Sequence, residues 1–255
     1  MEVRLLWPDF HYLFLLLEKI ILKSYEKTTI FLIDYITETY YWKTFLYQRM
    51  VLLFQKNMKL QPSAILFDMD GVLVDSLDAW WKALNSALKK FKHQELTRDE
   101  FIETYWGHDL RENLKRLKLN PKVAPFCNIT YGDHLDYIRI YPDTKSALKQ
   151  LVSYKKAVIT NTPTDCARQI LKKFDIAQYF EAIITSDDVL NAKPDPEIVF
   201  AACKQLGVTP KTALLVGDTE SDVKAGRAAG CIVIGLNIDA DITIQRLSEL
   251  TDLVL

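Results

Sequence analysis

Two acids one residue apart, Asp68 and Asp70, sit in the stretch AILFDMDGVLVDS over residues 64–76, directly after an apolar run and directly before Gly71. Carboxylates at the end of a buried strand are costly unless something compensates their charge. Alternate side chains of an extended strand share a face, so Asp68 and Asp70 point one way and Met69 the other. Gly71 permits the sharp exit that such a turn needs.

The same kind of residue ends other apolar runs. KAVIT (156–160) leads into Thr160-Asn161-Thr162, and TALLVG (212–217) leads into Asp218, with Asp222 four residues on. After EAIITS (181–186) comes Asn191-Ala192-Lys193-Pro194-Asp195-Pro196. Asp68, Asp218 and Asp222 on one edge would repel strongly without a cation among them. A hard divalent ion with oxygen ligands answers that need, and Mg²⁺ suits a few carboxylates plus waters and a phosphate. The metal and Lys193 together would compensate the acids. Two other motifs are excluded: an EF-hand begun at Asp68 would need Gly and Glu where Leu73 and Ala79 stand, and the chain has no GxxxxGK[ST] phosphate loop.

To bring these residues together the chain needs parallel strands. AILF (64–67), KAVIT, EAIITS, TALLVG and CIVIGL (231–236) are continuous apolar runs, the signature of strands buried on both faces. Helical spacing separates them over 164–175, 195–207 and 220–230. The expected fold is α/β, a Rossmann-like doubly wound parallel sheet with helices on both faces. In such sheets ligands bind at the carboxyl ends of the strands, where the acids fall. The stretch between the first strand and KAVIT is too long for one crossover and is mostly helical in pattern. Residues 77–141 are therefore expected to be an inserted all-helical subdomain, with 58–76 and 142–255 forming the core.

The composition, 49% hydrophobic and 25% charged over 255 residues, is that of a globular protein. A net charge of −1 gives no bulk attraction to nucleic acid or anionic membrane. Cys127, Cys166, Cys203 and Cys231 form no CxxC pair, which points to buried thiols in a reducing cytoplasm. Residues 1–57 are different: they carry nearly half of the aromatics and no glycine. Their apolar stretches, 11–23 and 31–54, are broken by Glu18, Lys19, Asp34, Glu38, Lys43 and Arg49, so neither has the run of a spanning helix or a signal peptide. Three readings stay open for them: a helical extension packed on the domain or lying at a membrane surface, a pair of helices for dimerisation or a partner, and a segment upstream of a true start at Met58. Membrane association is the least favoured.

DxDGxLxDS, a strand ending in Thr-Asn, Lys-Pro-Asp-Pro and GDxxxD, in this order, resemble the four motifs of the haloacid dehalogenase-like hydrolase superfamily, over roughly residues 60–255. The helical insertion resembles that family's cap. The resemblance implies that Asp68 is a nucleophile forming an aspartyl-phosphate and that Asp70 is the general acid and then the base. It implies Mg²⁺ held by the Asp68 carboxylate, the Asp70 carbonyl and the Asp218 carboxylate, with Asp222 binding it through water or orienting its shell. Thr160 and the Asn161 N–H would grip the phosphoryl oxygens, and Lys193 would neutralise charge on Asp68 and the phosphate.

In TYWGHDLRENLKRL (104–117) the resemblance makes Trp106, His108 and Arg111 the candidates for touching substrate. The G-x-x-L-R-E-x-L run is more similar to phosphoglycolate phosphatase-like members than to β-phosphoglucomutases, whose arginine stands one residue earlier. The implied function is a Mg²⁺-dependent phosphatase acting on a small phosphorylated metabolite (phosphoglycolate-like, nucleotide or sugar phosphate), as a cytoplasmic monomer or homodimer. The alternatives are a phosphosugar mutase of the same family and a non-catalytic interaction protein using the N-terminal segment.

Overall fold

The computed structural model describes residues 59–255. The three readings of residues 1–57 lie outside the described residues. In chain order the strands are β1 (Ala64–Phe67), β2 (Val74–Asp75), β3 (Arg139–Ile140), β4 (Lys155–Thr160), β5 (Ala182–Thr185), β6 (Ala213–Gly217), β7 (Ile232–Leu236) and β8 (Ile242–Ile244). The helices are α1 (Leu77–Lys90), α2 (Arg98–Thr104), α3 (Leu110–Arg116), α4 (Ala124–Asp133), α5 (Thr144–Gln150), α6 (Thr164–Lys173), α7 (Glu197–Leu206), α8 (Glu220–Ala229) and α9 (Glu249–Val254).

Six strands form one sheet in the order β5-β4-β1-β6-β7-β8, and every neighbouring pair is parallel. β1 lies between β4 and β6, so Phe67 is level with Val158 on one side and Val216 on the other. The chain is thus a doubly wound α/β protein. All four β1 residues are buried, and they alternate. Ile65 and Phe67 join the cluster under α5, α6 and α9, while Ala64 and Leu66 join the cluster under α7 and α8. Truncating a side chain such as Phe67 would cost about 3–5 kcal/mol. β8 has no counterpart among the sequence-predicted strands, because three residues at a sheet edge are too short to make an apolar run.

Between β2 and β3 the chain is helical. β2 and β3 pair antiparallel, Val74 with Ile140 and Asp75 with Arg139, so the outgoing and returning strands run side by side. Leu84, Leu88, Phe101, Leu114, Val123 and Cys127 form a separate apolar cluster among α1–α4, while Ala79, Ala83 and Tyr131 join the cluster beneath the sheet. Local chemistry sets the short helices: Thr97 and Glu100 make a reciprocal capping box for α2, and Asp109 accepts from Arg111 N and Glu112 N to start α3. Among the described residues no helix is long and apolar enough to cross a membrane.

Candidate active site

The parallel sheet brings its carboxyl ends to one edge, and Asp68, Asp70, Thr160, Asn161, Thr162, Lys193 and Thr219 line one cavity there. Asp68 leaves β1 with its N–H donating to Val216 O at 2.9 Å, which anchors it to β6. Lys193 Nζ lies 2.8 Å from Asp68 Oδ1, with both side chains almost wholly buried. Met69 N also donates to that oxygen at 2.7 Å, so Asp68 Oδ2 is the oxygen left free. Burial pushes the Asp68 carboxyl well above its ordinary 3.8, the Asp222 charge adds to the rise, and Lys193 opposes it.

Asp70 is held by three hydroxyls. Ser76 Oγ donates to Oδ1; Thr162 Oγ1 and Thr160 Oγ1 donate to Oδ2, at 2.7 and 3.1 Å. Thr160 Oγ1 also accepts from Thr162 N at 3.0 Å, so the end of β4 folds back on itself around Asp70. Thr162 and Ser76 are functional candidates that motif reasoning passed over. The only signal was a second hydroxyl in TNT and the serine closing the first motif.

Lys193 has three partners: Asp68 Oδ1, Asp222 Oδ1 at 2.7 Å and the Ile159 carbonyl at 3.1 Å. Burial by itself would lower its pKa, but the two carboxylates outweigh burial and hold it above 10.5. Asn161 fixes the loop that carries it. Its Oδ1 accepts from Lys193 N and its Nδ2 donates to Lys193 O, each at 3.0 Å. The same Nδ2 reaches Gly107 O at 3.3 Å, on the helical side of the cavity.

Oxygens of Asp68, Asp218 and Asp222 lie within 4.8 Å of one another. Asp222 is placed differently from the sequence expectation. Its Oδ1 accepts from Lys193, and its Oδ2 accepts from Thr219 N at 3.1 Å and Thr219 Oγ1 at 2.6 Å, closing the capping box of α8. Both oxygens are committed to protein donors. Asp218 is the opposite case: its Oδ1 is buried with no hydrogen-bond partner. Burial first, and then the charge of Asp222, push its carboxyl up to about 8. A buried oxygen without a donor, beside two further carboxylates, fits a cation. Gly71 makes room for the Asp218 carboxylate, since at φ +87° any Cβ there would overlap Asp218 Oδ2.

The rest of the cavity wall comes from the helical segment, from Trp80, Leu84, Phe101, Tyr105, Trp106, Gly107, His108, Leu110 and Asn113. Trp106 and His108 line the cavity, whereas Arg111, expected against substrate, is not part of its wall. Arg111 sits in the first turn of α3, where its guanidinium turns to the loop after β5. It donates to Ser186 O at 2.8 Å and faces Asp187 at 3.7 Å.

A buried carboxylate pair, a paired lysine and a candidate cation position at the carboxyl edge of a parallel sheet define a phosphoryl-transfer type of site. Comparison with known proteins agrees. The family model described as haloacid dehalogenase-like hydrolase matches residues 65–236, and the chain belongs to that family. It is 33% identical over 196 residues to the phosphoglycolate phosphatase of Haemophilus influenzae (strain ATCC 51907 / DSM 11121 / KW20 / Rd), covering 70% of this chain and 87% of that one. It is 30% identical over 204 residues to the phosphoglycolate phosphatase of Aquifex aeolicus, covering 74% and 95%. Among solved structures it resembles a predicted phosphoglycolate phosphatase of Haemophilus somnus, with TM-score 0.62, 28% identity and coverage of 74% and 96%.

Proposed function

We propose that the protein is a Mg²⁺-dependent phosphatase that hydrolyses a small phosphomonoester through an aspartyl-phosphate on Asp68. The observation that carries the proposal is the buried Asp68, paired with Lys193 at 2.8 Å and neighboured by an Asp70 that three hydroxyls orient. The family relationship supports the same chemistry, and the names of the similar proteins favour a hydrolase over a mutase.

In this reading the free Oδ2 of Asp68 attacks phosphorus, and the P–O bond to the leaving alcohol breaks as Asp70 gives that oxygen a proton. Asp70 then takes a proton from water. The water oxygen attacks phosphorus, the bond to Asp68 breaks, and inorganic phosphate leaves. Lys193 holds Asp68 in place and offsets the negative charge that gathers on the transferring group. The Asn161 backbone N–H would donate to that group, while the Thr160 hydroxyl, already donating to Asp70 Oδ2, orients the acid. Asp68 and Asp218 would hold Mg²⁺, with Asp222 holding Lys193 rather than the metal. The ion would supply positive charge that offsets the charge of the transferring group. Residues 77–141 act as a cap that covers the leaving group and excludes water.

The test is phosphate release from a panel of small phosphomonoesters with and without Mg²⁺, run beside Asp68→Asn. Turnover that needs the metal and disappears in the variant supports the reading. An isomer without released phosphate would make the protein a mutase instead.

A further inference from the structure

The leaving-group half of the cavity carries a chemical bias of its own. Its walls are Trp80, Leu84, Phe101, Trp106 and Leu110. They are held in place: the Trp80 ring stacks on the buried Tyr131 at 4.0 Å, and Phe101 meets Trp106 edge to face at 6.2 Å. Among the described residues the only lysine or arginine on the cavity wall is Lys193, whose donors are taken by Asp68, Asp222 and Ile159 O. Nearby cations of the helical segment are committed elsewhere: Arg111 to Ser186 O, and Arg116 to Glu112 and Thr104 O. Burial and the Arg116 charge hold the His108 imidazole below its ordinary 6.5.

One polar group in this half is unused. Asn113 lines the cavity and is 6% exposed. Its Nδ2 donates to Tyr105 O at 2.9 Å, which fixes the orientation of the amide and makes Oδ1 the acceptor. That Oδ1 is buried with no partner. A buried acceptor left empty is unfavourable, and a ligand that brings a donor to it is favoured over one that does not.

We infer that the leaving alcohol of the substrate is an uncharged, ring-bearing group with a hydrogen-bond donor for Asn113 Oδ1, and that carboxylate-bearing esters such as phosphoglycolate are poor substrates. A second anion on the substrate would be stripped of water against apolar walls with no cation to receive it. This inference rests on the phosphatase reading above.

The experiment measures kcat/KM with Mg²⁺ for acetyl phosphate, phosphoglycolate, 4-methylbenzyl phosphate and 4-(hydroxymethyl)benzyl phosphate. Acetyl phosphate, an acyl phosphate whose small acetate leaves without a proton, tests the phosphoryl chemistry apart from the leaving-group half of the cavity. The hydroxymethyl ester should exceed the methyl ester by about tenfold and phosphoglycolate by about a hundredfold. In Asn113→Leu the preference for the hydroxymethyl over the methyl ester should fall to about unity. Phosphoglycolate turned over as well as the benzyl esters would overturn the inference, as would indifference to the donor or a preference that survives in Asn113→Leu. The wild-type comparison decides the matter even where that variant does not fold. No turnover of any of these compounds, acetyl phosphate included, would instead sink the phosphatase reading on which the inference stands.

Discussion

Lys193 and Asp222 form an ion pair at 2.7 Å in which neither side chain has appreciable contact with solvent. The pair joins the loop before α7 to the first turn of α8 and aims the ammonium at Asp68. Because both Asp222 oxygens accept from protein donors, the role proposed for it is to position Lys193. Asp222→Ala should therefore cost about 3 kcal/mol or more in urea unfolding, by leaving buried donors without their acceptor. Asp222→Asn should keep Mg²⁺ affinity within about threefold, whereas Asp218→Asn should weaken it by about tenfold or more, read by isothermal titration. Equal losses in the two variants would return Asp222 to the metal.

Thr162 donates to Asp70 Oδ2 at 2.7 Å, a hydrogen bond to the group proposed to move protons. Hydrogen bonds to charged groups are worth about 1.5–3 kcal/mol, so Thr162→Val should lower kcat by about tenfold or more. KM should change little, because Thr162 orients Asp70 without holding the leaving group. Thr162→Ser should recover most of the rate, and an unaffected kcat in the valine variant would remove Thr162 from the site.

Asp218 gives a pH signature. Its carboxyl is raised from 3.8 to about 8 in the folded chain, so the fold holds this proton more tightly than the unfolded chain does. Its contribution to stability is complete below the unfolded value and is lost as pH rises through about 8. Without divalent metal, the melting temperature of the wild type should fall relative to that of Asp218→Asn between about pH 5 and about pH 8. Added Mg²⁺ should reverse the fall, since it binds the ionised carboxylate. A temperature difference that stays flat across this range would mean that Asp218 is paired in solution.

Arg111 bridges α3 to the carbonyl of Ser186 rather than reaching the cavity. Its side chain is half exposed, so Arg111→Ala should cost no more than about 1 kcal/mol of stability. KM for the best substrate should stay within about twofold, because the guanidinium bonds to the protein and not to the substrate. A KM raised by an order of magnitude with kcat preserved would mean that Arg111 meets substrate after all.

Apolar continuity and motif order made much of this protein legible from its sequence. Runs such as AILF and TALLVG must be buried on both faces, and that alone dictates a parallel sheet with helices on each side. A parallel sheet in turn brings every strand's carboxyl end to one edge, so Asp68, Asp70, Thr160 and Asp218 had to converge. Partner choice was not legible. Asp222 and Asp218 have the same chemistry and stand four residues apart, yet one has both oxygens filled by Lys193 and Thr219 while the other has a buried oxygen with none. Trp106, His108 and Arg111 fall within six residues, yet only the first two line the cavity. Which way a side chain turns depends on donors and acceptors brought in from distant parts of the chain, Lys193 for Asp222 and Ser186 O for Arg111. Local spacing fixes the position of a residue on its own strand or helix; only the packed structure supplies the neighbour across from it.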